Sequence, residues 1–306
     1  MILDHVRREL SQPLPAQVRE AAARLGKESG AEAVLFYGSV LRSGQLDDVL
    51  DFYVLTRRND GSVVRRAASR AVWPDVGWRE LAVHGRTIRA KVATMTLATF
   101  RRAASGRTLD TTIWARFAQP CALAWSASPA AADMAVDAVA EAIRTAARFA
   151  AALGPTRGTP IDFWRALFAE TYRSELRVER HGRGDQIVDH AADRYAALLP
   201  MAWRADGLPF REAEGQVSPQ LPPGQSRRLK AAWARRRRAG KAINIARLLK
   251  AAFTFDGATR YALYKIERHT GVAIEATPWR ERHPVLAAPG VLWRVFRARA
   301  RADGGS

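Results

Sequence analysis

A glycine-serine pair and an aspartate near the N-terminus have the residue types and spacing that suit phosphate chemistry. Gly38 and Ser39 follow a short apolar run, and Asp51 lies inside a second apolar run. Glycine has no Cβ, so its backbone can approach a triphosphate closely, and a serine hydroxyl can donate a hydrogen bond to a phosphate oxygen. A carboxylate within an apolar strand is costly unless a cation compensates it. The pattern predicts a nucleoside triphosphate site in which Asp51 is the principal ligand of Mg²⁺.

The elements that must position this corner follow from the pattern of the first 125 residues. We predict helices over residues 14–26, 64–73 and 96–104. We predict strands over residues 33–37, 49–55, 81–84, 87–94 and 120–125, the third and fourth joined as a hairpin at Gly85 and Arg86. This mixture indicates an α/β (α+β) fold. Strand, Gly-Ser, loop and then an aspartate entering a second strand is the layout of polymerase-β-like nucleotidyltransferase domains.

The acidic residues depart from the usual arrangement of two carboxylates two positions apart, which places both on one face of a strand. Asp48 and Asp51 are three positions apart, so we expect Asp51 to bind the metal and Asp48 to act as a helper. Arg89 and Lys91, on the predicted fourth strand, are candidates for contacts to phosphate. The alternative for the acids is a solvated turn followed by one aspartate on an exposed strand face, and for the two cations it is a solvated strand face.

The middle of the chain reads as helical. The alanine-rich segment 130–153 carries a polar stripe at helical spacing, which predicts an amphipathic surface helix rather than a membrane span; the stripe consists of Asp133, Asp137, Glu141, Arg144 and Arg148. Helices are also predicted over 162–176 and 186–204, and the prolines and glycines of 205–226 predict a loop or linker. We therefore divide the chain into a nucleotidyltransferase domain (1–125), a helical domain (126–205) and a basic C-terminal region (206–306).

Bulk composition restricts the partners and the compartment. The chain has 49 Lys and Arg against 30 Asp and Glu, a net charge of +19, which attracts polyanions such as nucleotides, nucleic acid or anionic lipid. Cys121 is the one cysteine, so an internal disulfide is excluded, and we expect this residue to lie in the core. No signal peptide is apparent at the N-terminus, and we expect a bacterial cytoplasmic protein.

A basic block opens the C-terminal region and includes Arg235, Arg236, Arg237 and Arg238. In the helix predicted to follow, one face is apolar (Ile245, Leu248, Leu249 and Ala252) and the other carries Arg247 and Lys250. Basic amphipathic helices lie on anionic membranes, and the aromatic and basic residues around Trp279 and Trp293 suit the same interface. The alternatives are a solvated basic helix or contacts to RNA phosphates. No RNP or KH motif is present, so nucleic acid is the less favoured partner.

Three segments, in order along the chain, carry a resemblance to a known family. They are Phe36-Tyr37-Gly38-Ser39-Val40 with Val49-Leu50-Asp51-Phe52, then Gly85-Arg86-Thr87-Ile88-Arg89, then Tyr172-Arg173-Ser174-Glu175-Leu176-Arg177. They resemble the YGS…LDF, GRLIK and YSGDFR segments of the mitochondrial-type (translocator-maintenance-type) phosphatidate cytidylyltransferases, which have bacterial relatives. The sequence departs from the family's segments in two places: Arg replaces the family's Lys, and Ser-Glu-Leu replaces Gly-Asp-Phe. Both departures bear on the identity of the acceptor.

The resemblance implies a reaction in which CTP and phosphatidic acid give CDP-diacylglycerol and pyrophosphate with Mg²⁺. It implies a nucleotidyltransferase domain followed by a helical, winged-helix-like domain, at the inner face of the cell membrane. Substrate-binding residues carried over by position are Tyr37, Gly38, Ser39, Tyr172, Glu175 and Arg177. For Arg177 the alternative is an ion pair with Glu175 or Glu179. Two other functions stay open: a nucleotidyltransferase acting on RNA or a protein side chain, and a non-catalytic basic adaptor of the same fold.

Overall fold

The protein was analysed as a computed structural model that describes residues 1–38, 40–41, 49–58, 73–174, 187–254, 257–270, 272, 274–282, 287, 289–290 and 293–294. The structure is mixed α+β, as the sequence predicted at this coarse level. Its N-terminal half contains the helices α1 (Ile2–Leu10), α2 (Ala16–Glu28), α3 (Leu97–Ala104) and α4 (Thr112–Phe117). It also contains the strands β1 (Ala31–Tyr37), β2 (Leu50–Thr56), β3 (Asp75–Val83), β4 (Arg86–Thr96) and β5 (Cys121–Ser126).

The five strands form one sheet in the order β3-β4-β2-β1-β5. β2 pairs parallel with β4, and the other neighbouring pairs are antiparallel. Because side chains alternate between faces, each strand contributes to two separate hydrophobic clusters. One face, with Phe36, Phe52 and Val92, packs against α2. The opposite face, with Tyr37, Tyr53 and Ala93, belongs to the larger cluster shared with the helices that follow.

The helical half is built around α5 (Pro129–Leu153), which contacts α1, α3 and α4 as well as α6 (Pro160–Ser174) and α7 (Ala192–Ala205). Ser128 caps α5, since its hydroxyl accepts the amide N–H of Ala131 at 3.1 Å. The predicted polar stripe is present, but most of the helix is buried. The interpretation of this segment as a surface helix is therefore wrong: alanine is small enough to let several helices pack closely around it.

The segment 205–226 is not a linker. It contains a hairpin of β6 (Phe210–Ala213) and β7 (Gln216–Pro219), turned at Glu214 and Gly215, both with positive φ. Val217 is buried and exchanges backbone hydrogen bonds with Gly158. The prolines that suggested a loop lie at the strand ends, where no ladder N–H is required.

The helix α8 (Pro223–Thr254) follows the hairpin and crosses both halves of the molecule. Trp233 packs on Phe149 and donates its indole N–H to Glu170, and Gly240 lies against the Ser174 carbonyl. Farther along, Arg247 pairs with Asp110 ahead of α4, and Lys250 pairs with Asp75 on the edge strand β3. Two shorter helices, α9 (Ala258–Thr270) and α10 (Pro278–Arg282), complete the described chain. Within the described segments, no helix has both the length and the apolar character needed to cross a bilayer.

The buried face of α8 carries cations as well as the apolar Trp233. We call Arg236, Arg247 and Lys250 its cationic stripe; eleven residues are about three helical turns, so Arg236 and Arg247 share a face. Arg236 is 6% exposed and donates to the carbonyl oxygens of Gly106 and Thr108. Burial and the neighbouring Arg235 lower the pKa of the Arg236 guanidinium.

The sequence analysis predicted that the basic face of this helix points outward. For the cationic stripe that prediction is wrong. Arg247 and Lys250 form ion pairs with Asp110 and Asp75, and the side chains of the two cations are 17% and 10% exposed. Ile245, predicted on the apolar face, is 49% exposed. The side chains of Leu248, Leu249 and Ala252 lie outside the described residues.

Candidate active site

The predicted corner forms where β1 ends and β2 begins. Gly38 follows the last residue of β1 and has φ +102°, a conformation that favours glycine. A Cβ at Gly38 would stand 2.7 Å from Oδ2 of Asp51, closer than real Cβ contacts. The Asp51 carboxylate therefore lies directly against the glycine backbone, and a larger residue at position 38 would displace it. Glycine is required here by both its φ and the carboxylate beside it.

Asp51 belongs to a row of side chains that crosses the sheet. Its partner on β1 is Tyr37, its partner on β4 is Lys91, and Lys91 is in turn opposite Trp78 on β3. Directly opposed residues point to the same face, so the carboxylate and the ammonium group are on one side of the sheet. Both residues are partly exposed. The structure thus brings two of the predicted site residues, Asp51 and Lys91, together on one face of the sheet.

Arg89 lies two residues before Lys91 and therefore on the same face. It is exposed, and its guanidinium carbon is 5.0 Å from the ring centre of Tyr264 on α9. Glu80 is its cross-strand partner on β3. Trp78 packs against Tyr261 and Tyr264, so α9 covers the β3 side of this face.

Arg116 on α4 covers the β1 side of the same face and was not among the residues predicted for the site. Its guanidinium carbon is 4.9 Å from the ring centre of Tyr37 and 6.0 Å from that of Tyr53. Burial raises the pKa of both tyrosine hydroxyls, and the charge of Arg116 opposes that shift. Asp51 raises the pKa of both tyrosines as well, which places Arg116 and Asp51 in one electrostatic environment.

Tyr37 is 7% exposed and packs against Tyr53 and Phe117 at 5.4 and 6.0 Å between ring centres. This burial favours a packing role over the predicted substrate contact. The resemblance carried the residue over by position, whereas its environment is the aromatic core beneath the corner.

A buried ion pair between Asp110 and Arg247 joins the start of α4 to α8. Oδ2 of Asp110 is 2.6 Å from the Arg247 guanidinium of α8, and Oδ1 of Asp110 accepts the backbone N–H of Thr112 at 3.0 Å. Arg247 also donates to the carbonyl oxygen of Trp73 at 2.8 Å. Asp110 therefore fixes the start of α4 and joins it to α8. Arg247 compensates the charge of Asp110 within the protein, so Asp110 is not a candidate for binding a ligand.

Asp51 meets part of the requirement for Mg²⁺. The ion favours hard oxygen ligands and is commonly held by one or two carboxylates together with phosphate oxygens and water. The absence of a Cβ at Gly38 leaves backbone close to Oδ2 of Asp51, which suits an ion that also bridges a phosphate. Among the described residues, no group of three or more His, Cys, Asp or Glu side chains could hold a metal. One carboxylate plus substrate oxygens is thus the donor set that the described chain supports.

Several predicted residues lie outside the described part of the chain: Ser39, Asp48, Glu175 and Arg177, together with residues 64–72 of the helix predicted over 64–73. Their roles stay predictions. Tyr172 is described, in the last turn of α6, where it is partly buried against the large hydrophobic cluster. The neighbouring Ser174 lies against α8 at Gly240.

The four arginines predicted to bind a membrane divide into two groups. Arg235, Arg237 and Arg238 are exposed on α8. Arg236 is buried, with its guanidinium carbon 4.9 Å from the ring centre of Phe149. The prediction that Arg236 contacts a membrane is therefore wrong, because its donors are committed to carbonyl oxygens of the protein.

Comparison with known sequences found no match: no protein-family model matches the chain, and no curated protein does either.

Proposed function

We propose that the chain is a nucleotidyltransferase that transfers a nucleoside monophosphate from CTP to the phosphate of phosphatidic acid. The observation that carries the proposal is the Asp51 carboxylate, held against Gly38 at the end of β1. A partly exposed carboxylate at a glycine corner is a hard oxygen ligand of the kind that binds a metal carrying a triphosphate. The resemblance of the corner and of two later segments to the phosphatidate cytidylyltransferases supports the choice of substrates.

The reaction is an in-line displacement at phosphorus. An oxygen of the acceptor phosphate forms a bond to the α-phosphorus of CTP, the bond from that phosphorus to the bridging oxygen breaks, and pyrophosphate leaves. A phosphate monoester is already anionic near neutral pH, so a strong general base is less necessary than for an alcohol. Mg²⁺, held by Asp51, would neutralise phosphate charge when bound. Lys91 and Arg89, on the same face, are placed to attract and orient the phosphates.

The helical half supports the expected second domain. The three helices α5, α6 and α7 are followed by the two-stranded hairpin β6–β7, the element order of a winged helix. The hairpin lies beyond the boundary predicted at residue 205, so a winged-helix-like unit would extend to about residue 219.

The exposed side of α8 supports access to a lipid substrate. Exposed cations occur along its first half: Arg227, Arg228, Lys230, Arg235, Arg237, Arg238 and Lys241. Each basic group near an anionic surface contributes about 1 kcal/mol of attraction. Trp279 and Trp293 are 53% and 58% exposed, and tryptophan suits the membrane interface. We infer that this surface docks on the cytoplasmic face of the cell membrane while the acceptor remains in the bilayer.

The test measures turnover of each of the four nucleoside triphosphates with phosphatidic acid vesicles and Mg²⁺, with tRNA as the competing acceptor. We expect label from CTP to enter lipid. An Asp51→Asn variant should lose at least about a hundredfold in turnover while its circular dichroism stays that of the parent. Asp137→Asn, an exposed acid on α5, is the matched control and should keep full activity. Label that enters RNA and never lipid would contradict the choice of acceptor.

A second candidate is a non-catalytic adaptor of the same fold. The observation in its favour is that the described residues include no three-membered cluster of metal-binding side chains. In that case Asp51→Asn would behave like the parent in every assay, and vesicle binding through α8 would be the property that remains.

A further inference from the structure

Arg116 lies beside the candidate triphosphate corner. It belongs to the last turn of α4, and its guanidinium sits over the rings of Tyr37 and Tyr53. Tyr37 is the direct cross-strand partner of Asp51, and Tyr53 follows Asp51 by two residues on the same strand face. The guanidinium is therefore on the Asp51 side of the sheet, where it is partly exposed.

The element that carries Arg116 is fixed from both ends without a ligand. At its start, Asp110 accepts the backbone N–H of Thr112 and is held by Arg247 of α8. At its end, the side-chain amide of Gln119 donates to the carbonyl oxygen of Ala115 at 3.1 Å. Phe117 packs edge-on against Tyr53, with 5.0 Å between ring centres. The position of the cation is thus set by the fold, which reduces the entropy lost when it binds a ligand.

The charges around the corner favour an anionic ligand. Among the described residues, Lys91 lies beside Asp51 on β4 and Arg116 lies over the ring of Tyr37, the partner of Asp51 on β1, so two cations share the face of this carboxylate. Arg247 of α8 forms an ion pair with Asp110 at the start of α4. Aromatic rings on one side of Arg116 exclude water and strengthen its interaction with an anion. Guanidinium groups present two parallel donors that match two phosphate oxygens.

We propose that Arg116 binds the phosphate chain of the nucleotide, opposite Lys91. The inference rests on the proposed function, since it assigns a residue to the same triphosphate site. It also gives the Asp110–Arg247 pair a positioning role, because that pair holds the helix from which Arg116 projects.

The experiment measures binding by isothermal titration, independently of turnover. The probes are CTP and inorganic tripolyphosphate, each with Mg²⁺, and the variants are Arg116→Gln, Arg116→Lys and Arg101→Gln. Arg101 is an exposed arginine in the last turn of α3 and is the matched control. We expect Arg116→Gln to weaken both probes by roughly 10- to 100-fold, since hydrogen bonds to charged groups are the strong class. Arg116→Lys should weaken them less, and Arg101→Gln should match the parent.

The outcomes separate this inference from the proposed function. If the parent binds both probes and Arg116→Gln binds them equally well, the assignment of Arg116 is wrong and the proposed function stands. If the parent binds neither probe, both are wrong. Should Arg116→Gln fail to fold, Arg116→Lys decides: it retains the charge over the tyrosines, and parental affinity with parental thermal stability would overturn the two-donor contact.

Discussion

The two longest helices of the described chain, α5 and α8, differ in the kind of side chain that they bury. α5 is buried through alanine and branched side chains; Asp133 and Asp137 are exposed, and its other charges, Glu141, Arg144 and Arg148, are in ion pairs. α8 displays most of its arginines to water as well, yet its cationic stripe is turned into the protein, where Arg236 meets carbonyl oxygens and Arg247 meets Asp110. Apolar periodicity located α5 and its polar stripe but underestimated how much of this helix is buried. For α8 the same pattern assigned the cationic stripe to the exposed face, because the sequence does not distinguish a buried cation from a solvated one.

The largest effect that can test this contrast is the loss of a core side chain on α5. Ile143 is fully buried, and Ile143→Ala should lower the free energy of unfolding by about 4 kcal/mol through lost burial and the cavity left behind. Asp137→Ala, on the polar stripe, should change it by less than about 0.5 kcal/mol. Chemical denaturation measures both. Equal losses would show that the stripe of α5 is not solvated.

On α8 we expect the costly substitution to be the loss of a buried cation, whereas on α5 it is the loss of an apolar side chain. Arg236→Met should cost about 3 kcal/mol, because the apolar stem is retained while the carbonyl oxygens of Gly106 and Thr108 lose their donor. Arg235→Met, the same substitution one residue earlier on the exposed face, should be nearly neutral. The same unfolding measurement applies, and similar values for the two variants would remove the distinction between the faces.

The ion pair between α8 and the sheet half provides a smaller, more specific test. A double-mutant cycle with Asp110→Asn and Arg247→Met should give a coupling energy of about 2 kcal/mol, since both side chains are largely buried. The exposed pair Arg165–Asp189, whose side chains are 43% and 56% exposed, should give less than about 0.5 kcal/mol. A coupling for the first pair as small as that for the second would mean that α8 is docked by other contacts.

The smallest effect distinguishes two glycines of α8, Gly224 at its start and Gly240 near its middle. In an open helix, Gly→Ala stabilises by up to about 1 kcal/mol. A Cβ at Gly240 would collide with the carbonyl oxygen of Ser174, so Gly240→Ala should instead destabilise by about 1–2 kcal/mol. Gly224 faces open space, and its replacement by alanine should be neutral or stabilising. A stabilising Gly240→Ala would show that α8 is not in contact with α6.

Sequence reasoning worked where a local pattern decides the structure. The strands on either side of the corner and the helices that became α2, α3 and α5 were predicted to within about three residues, because alternation and helical periodicity are local signals. Residue chemistry predicted that Gly38 and Asp51 belong to one corner; the positive φ of Gly38 and the carboxylate lying against it were found only in the structure.

It failed where the partner is remote or the element is short. Arg116 belongs to a six-residue helix, and its one signal was a single basic residue in an apolar run, which ordinarily denotes a solvated position. The burial of Arg236 depends on carbonyl oxygens in the 106–108 loop, and no local pattern encodes them. The hairpin β6–β7 was obscured by strands of four residues and by the prolines at their ends.

The inward cations of α8 also bear on how the chain matures during synthesis. Thr108 leaves the ribosome 128 residues ahead of Arg236, and the carbonyl oxygen of Trp73 leaves 174 residues ahead of Arg247. Asp110 and Asp75, on the sheet half, likewise emerge long before the arginine and lysine that neutralise them. A nascent chain halted before α8 therefore lacks the two cations that pair with these acids in the folded protein. The N-terminal half acquires these ion pairs only after α8 has been translated.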